Sequence, residues 1–213
     1  MQTITEAARH PSPAPRPQSL TFDGALLWMG SIETRRIYAI RPDDWGVAEW
    51  ATAPGKPWGM TAMGKDLRVL CGETDEDHRV IRRYRSDKGF EDDALPCPQD
   101  TGSQLGYDGT NLHVSQWYNR AVLVLDKGGK VIKTYKAPRG ICGQVFVGGQ
   151  LYLLTTAAEE TNEYFLTRLD PKSGVATDVA LVPFQGRALA HDGQHFWTNH
   201  REQHEIVAFT AAL

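Results

Sequence analysis

The sequence predicts an all-β fold: a five-bladed β-propeller of four-stranded antiparallel blades, one domain over residues 1–213, its ring closed by an N-terminal strand. Three observations carry this. A hairpin signature recurs five times, as SLTFDGALLWMG, WGMTAMGKDLRVLCG, SQLGYDGTNLHVS, CGQVFVGGQLYLLT and RALAHDGQHFWTN. Its turn glycines, Gly24, Gly64, Gly109, Gly149 and Gly193, are 40, 45, 40 and 44 residues apart, close to the roughly 40–45 residues of a four-stranded blade. Each hairpin is followed by further β-rich runs separated by Gly, Pro and Asp, the punctuation of a sheet protein. No long stretch carries a 3.6-residue period, so helix is scarce.

The blades follow in order. Each turn glycine ends a tight hairpin, where positive φ is tolerated without a Cβ. The third strands are RRIYAI, RVIRRY, AVLVLD, FLTRLD and EIVAF. Fourth strands follow in blades one to four as GVAEWAT, DDALPC, KVIKTYKA and ATDVALV. The fifth copy stops after its third strand. Gln2–Glu6 therefore supplies the missing outer strand and protects the edge. Residues 10–18, rich in proline, form the linker from that strand to blade one.

Composition narrows the function classes. The 213 residues are 41% hydrophobic with a net charge of −3. Acidic and basic residues are interspersed, and there is no basic stripe for nucleic acid. No apolar run reaches the roughly 18 residues of a membrane helix, and the N-terminus lacks the apolar core of a signal peptide. Cys71, Cys97 and Cys142 are odd in number and widely spaced, which suits reduced thiols in a cytoplasmic protein rather than a disulfide framework.

A propeller gathers its chemistry where the innermost strands begin and the loops between second and third strands open. Aligning the five hairpins on their turn glycines puts Gln18, Trp58, Ser103, Gly143 and Arg187 at the starts of the innermost strands. Ser19, Gly59, Gln104, Gln144 and Ala188 come one residue further in. Ser31, Cys71, Gln116, Thr155 and His200 end the second strands, with Glu33, Glu73, Trp117, Tyr118 and Arg201 just beyond. From these, His200 is the candidate general base, its imidazole titrating near neutrality. Glu33 and Glu73 are the candidate acid or orienting groups. Arg187 and Gln116 would hold an anion, with Gln144 and Arg201 as further polar contacts. Trp58, Trp117 and Tyr118 would form the apolar wall. The run CGETDEDHR at 71–79 offers Glu73, Asp75, Asp77 and His78 as oxygen and imidazole groups. It lacks the Gly and closing Glu of a calcium loop and reads as a charged hairpin loop. No metal or cofactor is assigned.

Three of the blade signatures resemble a known family. WGMTAMGKDLRVLCG looks like the WGLT blade of glutaminyl-peptide cyclotransferases of the plant and bacterial type, QSLTFDGALLWMG is similar to their opening blade, and RALAHDGQHFWTNH to their closing one. The resemblance implies a five-bladed propeller with an axial pocket, in which Trp58 matches a family pocket position. Met29 stands where the family has an acid, CGQVF where it has NELEY, and His200 where it has a lysine. These departures point to a relative with different chemistry. The leading expectation is an enzyme using general acid–base catalysis, by acyl transfer, cyclisation or elimination, on a small polar or peptide-like substrate in the axial funnel. Alternatives are a non-catalytic propeller binding a small ligand or a protein, and a metal-dependent lactonase or lyase. Nucleic acid and membranes are not expected partners.

Overall fold

The computed structural model describes residues 1–211. Its strands are, in chain order, β1 (Gln2–Thr3) and β2 (Thr5–Pro11), then the first blade, β3 (Pro17–Phe22), β4 (Leu27–Ser31), β5 (Arg36–Ile40) and β6 (Val47–Thr52). The second blade is β7 (Lys56–Met63), β8 (Asp66–Glu73), β9 (His78–Arg85) and β10 (Gly89–Pro96). The third is β11 (Gly102–Tyr107), β12 (Leu112–Gln116), β13 (Ala121–Leu125) and β14 (Val131–Lys136). The fourth is β15 (Gly140–Val147), β16 (Gln150–Thr156), β17 (Tyr164–Leu169) and β18 (Ala176–Val182). The fifth is β19 (Gly186–His191), β20 (Phe196–His200) and β21 (Glu205–Thr210), completed by β2.

Each blade is an antiparallel meander, and the innermost strands β3, β7, β11, β15 and β19 meet in a closed ring. The chain is a five-bladed β-propeller. The core is not one mass but five clusters, each filling the space between two neighbouring blades. This explains the sequence pattern. Middle strands such as β4 (LWMGS) and β13 (AVLVL) are buried on both faces and read as continuous apolar runs. Outer strands such as β6 and β14 are mostly exposed. Trp28, Trp197 and Tyr152 fill the spaces between blades one and two, five and one, and four and five.

Two glycines let the ring close this tightly. A Cβ on Gly59 would lie 2.6 Å from the Gln104 Cα, and one on Gly143 would lie 2.4 Å from the Ala188 carbonyl carbon. Backbone from adjacent blades occupies both positions, so no side chain fits without moving a strand.

The closing strand differs in register from the expectation. Gln2–Thr3 do not join blade five; they pair in parallel with Ala180 and Leu181 on the outer edge of blade four. The outer strand of blade five is Thr5–Pro11, with Thr5 opposite Thr210, Ala8 opposite Ala208 and His10 opposite Ile206. The strand thus consumes Arg9, His10 and Pro11, and the linker shrinks to Ser12–Arg16. Pro11 is tolerated because it ends an edge strand.

Candidate functional site

Every inner hairpin carries one extra residue near its start. The ladder shifts between Pro17 and Ser19, Pro57 and Gly59, Gly102 and Gln104, Ile141 and Gly143, and Arg187 and Ala190. Such bulges re-aim a side chain out of the ladder. Here they turn Gln18, Trp58, Ser103 and Cys142 toward the axis; in blade five the bulge falls just after Arg187, which pairs with Asn199, and all five residues line a cavity of about 240 Å³ at one mouth of the propeller. Cys142 takes the place expected for Gly143. The Gly148–Gly149 turn of blade four aligns through Gly148, which shifts that blade by one residue.

The remaining walls come from loops between second and third strands. Trp117 and Tyr118 enter from blade three, Glu159 from blade four and Arg201 from blade five, while Arg79 enters from β9 of blade two. Trp117 lies against Gly140, where a Cβ would meet its ring at 2.4 Å. Tyr118 stands at the rim, 85% exposed.

The charges are held firmly. The Arg79 guanidinium stacks 4.0 Å over the Trp58 ring, and Asp77 ties the two together, accepting from Arg79 Nη2 at 2.9 Å and from Trp58 Nε1 at 3.1 Å. Arg79 Nη1 is buried with no acceptor among the described residues, and desolvation holds the Arg79 pKa below its ordinary value. Arg187 is buried. Its Nη1 donates to Tyr164 Oη at 2.5 Å and to the Gly186 carbonyl at 3.0 Å, and its Nη2 to Glu159 Oε2 at 2.7 Å. Arg201 donates to Gln18 Oε1 at 3.1 Å and to Glu202 at 2.8 Å. Three arginines and one glutamate line the cavity, and Asp77 and Glu202 pair with Arg79 and Arg201 from beside it.

Of the residues expected from the sequence, Trp58, Trp117, Tyr118, Arg187 and Arg201 converge on this cavity. The three candidate catalytic groups do not line it. His200 is half-buried against Phe184, 5.0 Å between ring centroids, with Nδ1 3.2 Å from Arg9 Nη1. Glu73 pairs bidentately with Arg82 at 2.8 and 2.9 Å, and Glu33 is exposed in the turn before β5. For His200 and Gln116 the physical reason is shared. Residues at the ends of second strands sit in the regular ladder, His200 opposite Gly186 and Gln116 opposite Gly102, so only the bulged partner strand turns inward. Gln116 accordingly donates to Thr101 Oγ1 at 2.7 Å and Gln99 Oε1 at 3.1 Å, outside the lining. Gln144 spans between blades, donating to the Gln104 and His113 carbonyls at 3.0 Å each, and faces the opposite mouth.

Two charged lining residues escaped the sequence reading, Arg79 and Glu159. Glu159 had a signal. It lies in the blade-four counterpart of the loops that supplied Trp117 and Arg201. Arg79 had none, since its position depends on stacking against Trp58. The acidic run around it is internally engaged: His78 Nδ1 is 2.7 Å from Asp100 Oδ2, and Asp77 holds Trp58 and Arg79. The thiols are buried and held in the protonated form, with burial pushing Cys71 and Cys142 up to about 12 and Cys97 to about 11.

No family model matches the chain, and no curated protein matches its sequence. Solved structures do match its shape. Glutaminyl cyclase from Myxococcus xanthus superposes with a TM-score of 0.77 at 10% identity, covering 99% of this chain and 97% of that one. A protein of unknown function from Bacteroides thetaiotaomicron matches at 0.64 with 12% identity, over 100% and 73%. Hydrazine synthase of Kuenenia stuttgartiensis matches at 0.58 with 15% identity, over 90% and 64%. At these identities the likeness is one of fold: the chain shares its five-bladed propeller fold with glutaminyl cyclase.

Proposed function

We propose that the axial funnel binds a small anionic molecule with a planar or apolar body. One observation carries the reading: Arg79, Arg187 and Arg201 line a single cavity whose walls are Trp58 and Trp117. Aromatic walls with a few convergent polar groups suit a small ligand, and planar guanidinium forks suit an oxyanion. The three free, buried thiols suit a reducing, cytoplasmic setting. The test uses matched pairs of equal shape, such as benzoate and benzamide, followed by thermal shift and calorimetry. The anion should raise the melting temperature and the amide should not, and Arg79→Gln should weaken the anion's binding. Equal responses to the two members of the pair would reject the reading.

A second reading keeps catalysis in the same funnel. It is favoured by the fold shared with glutaminyl cyclase and by Glu159, the one acidic side chain in the lining. In that reading Glu159, rather than His200, Glu33 or Glu73, transfers the proton in an acyl-transfer or cyclisation step. Turnover of a glutaminyl peptide that is abolished by Glu159→Gln would support it, and no turnover by the wild type would dismiss it.

A further inference from the structure

The contacts of Arg187 say more about the ligand. We propose that the Glu159 carboxylate occupies the seat of the ligand's own carboxylate on Arg187, so that the funnel selects carboxylates and Glu159 leaves when one binds. The inference rests on reading the funnel as an anion pocket.

Arg187 is the fixed half of the pair. Its side chain is 4% exposed, and Nη1 is locked by Tyr164 Oη, the Gly186 carbonyl and Cys142 Sγ, the last at 3.6 Å. Nη2 is left to Glu159 Oε2 at 2.7 Å. Burial pushes both Cys142 and Tyr164 up to about 12, so both are neutral at pH 7. Among the described residues, Glu159 is then the only anion that Arg187 touches. A buried cation stripped of its counter-charge is strongly unfavourable, so whatever displaces Glu159 must bring a negative charge of its own.

Glu159 is the replaceable half. Its side chain is 41% exposed, so release returns the carboxylate to water at little cost. The exchange needs no loop movement. Thr156 Oγ1 lies 2.9 and 2.8 Å from the Ala158 and Glu163 carbonyls, its one hydrogen shared between them, and Tyr164 Oη donates to the Glu159 carbonyl at 3.0 Å. These bonds pin the backbone on both sides of Glu159 while its side chain turns about its own torsions. The entering group inherits a seat that already fits a planar carboxylate, with Trp117 and Trp58 beside it in the same cavity for the ligand's body.

The test is calorimetry of benzoate and benzamide against wild type and Glu159→Gln at pH 7. With the internal competitor removed, benzoate should bind Glu159→Gln at least about five-fold tighter, the lower end of ordinary coupling between sites, and benzamide should not change. Equal benzoate affinity in both proteins, with binding still weakened by Arg79→Gln, would overturn the exchange and leave the anion pocket standing. Benzoate binding to neither protein would overturn both. Should Glu159→Gln not fold, a crystal structure of the wild type with benzoate answers the same question. Glu159 turned to solvent with benzoate on Arg187 supports the exchange, and Glu159 still on Arg187 Nη2 refutes it.

Discussion

His200 shows how a residue with the right chemistry comes to serve packing. Its ring lies against Phe184, and its Nδ1 sits 3.2 Å from Arg9 Nη1 and 3.8 Å from Glu205 Oε2. Burial first, then the Arg9 charge, hold its pKa below the ordinary value, and Glu205 only partly opposes them. The neutral ring is therefore the form the fold prefers. The stability it contributes is present above about pH 6.5, the unfolded value, and is lost as the pH falls through the lower folded value. NMR titration of the ring should show a midpoint below 6.5, and His200→Gln should leave anion binding in the funnel intact. A midpoint above 6.5, or lost binding, would return His200 to the site. Five of the residues read from the sequence, Trp58, Trp117, Tyr118, Arg187 and Arg201, line one cavity because strand starts and loops recur with the blade. His200 stays outside because it pairs with Gly186 in the regular ladder, Glu73 because Arg82 holds it, and Glu33 because its turn is exposed, and none of these partners is marked in a single sequence.

The Asp-Gly turns hold more than a glycine with positive φ. Asp192 accepts from the Gln194 and His195 amides through Oδ1, each at 2.7 Å, and from the Trp197 indole through Oδ2, also at 2.7 Å. Asp23 does the same for Ala25, Leu26 and Trp28. Asp108 does so for Thr110, Asn111 and His113 Nε2. The hairpin signature is thus Asp-Gly-x-x-x-ring, with the carboxylate clamping the turn and the ring five residues on. Burial alone would raise the Asp192 pKa, but the two amides and the indole outweigh it and hold it down. Asp192→Ala should cost about 1–3 kcal/mol for the orphaned donors, a fall of about 2–4 °C in Tm per kcal/mol for a chain of this size. Blade two offers the reverse experiment. Met63 replaces the aspartate there, and Arg68, at the ring position, has a buried Nη1 with no partner among the described residues. Its pKa is lowered by desolvation and by Arg83. Met63→Asp should supply the missing carboxylate and raise Tm, although it removes a half-buried methionine. Scanning calorimetry of the two variants decides the matter, and a drop in both would mean that the clamp is not transferable.

Closure of the ring depends on eleven residues that the repeat does not contain. The blades were legible because each repeats the same hairpin, whereas the latch occurs once and has no second copy to align. Its outward faces are polar, as an edge strand requires, so His10–Pro11 reads from the sequence as the start of a linker. In the structure the latch ties three blades. Thr5–Pro11 zips onto β21, the Ile4 amide donates to the Leu181 carbonyl of blade four at 2.9 Å, and His10 stacks 4.0 Å from Trp45 of blade one. Trp45 returns the contact through its indole, which donates to the Pro11 carbonyl at 2.8 Å. Two truncations separate these parts. Removing residues 1–4 takes only the short parallel strand from an edge and should lower Tm by no more than about 2 °C. Removing residues 1–11 strips the ladder from β21, at roughly 0.5–1.5 kcal/mol per hydrogen bond, and frees Trp45. Tm should then fall by about 10 °C, and the bared edge of Ile206–Phe209 should promote self-association, seen by light scattering. Because the ring is closed by contacts on both sides of blade five, the longer truncation should also loosen β19 and weaken ligand binding at Arg187. If both truncations cost the same small amount, the ring is held by its inner strands alone and the latch is dispensable.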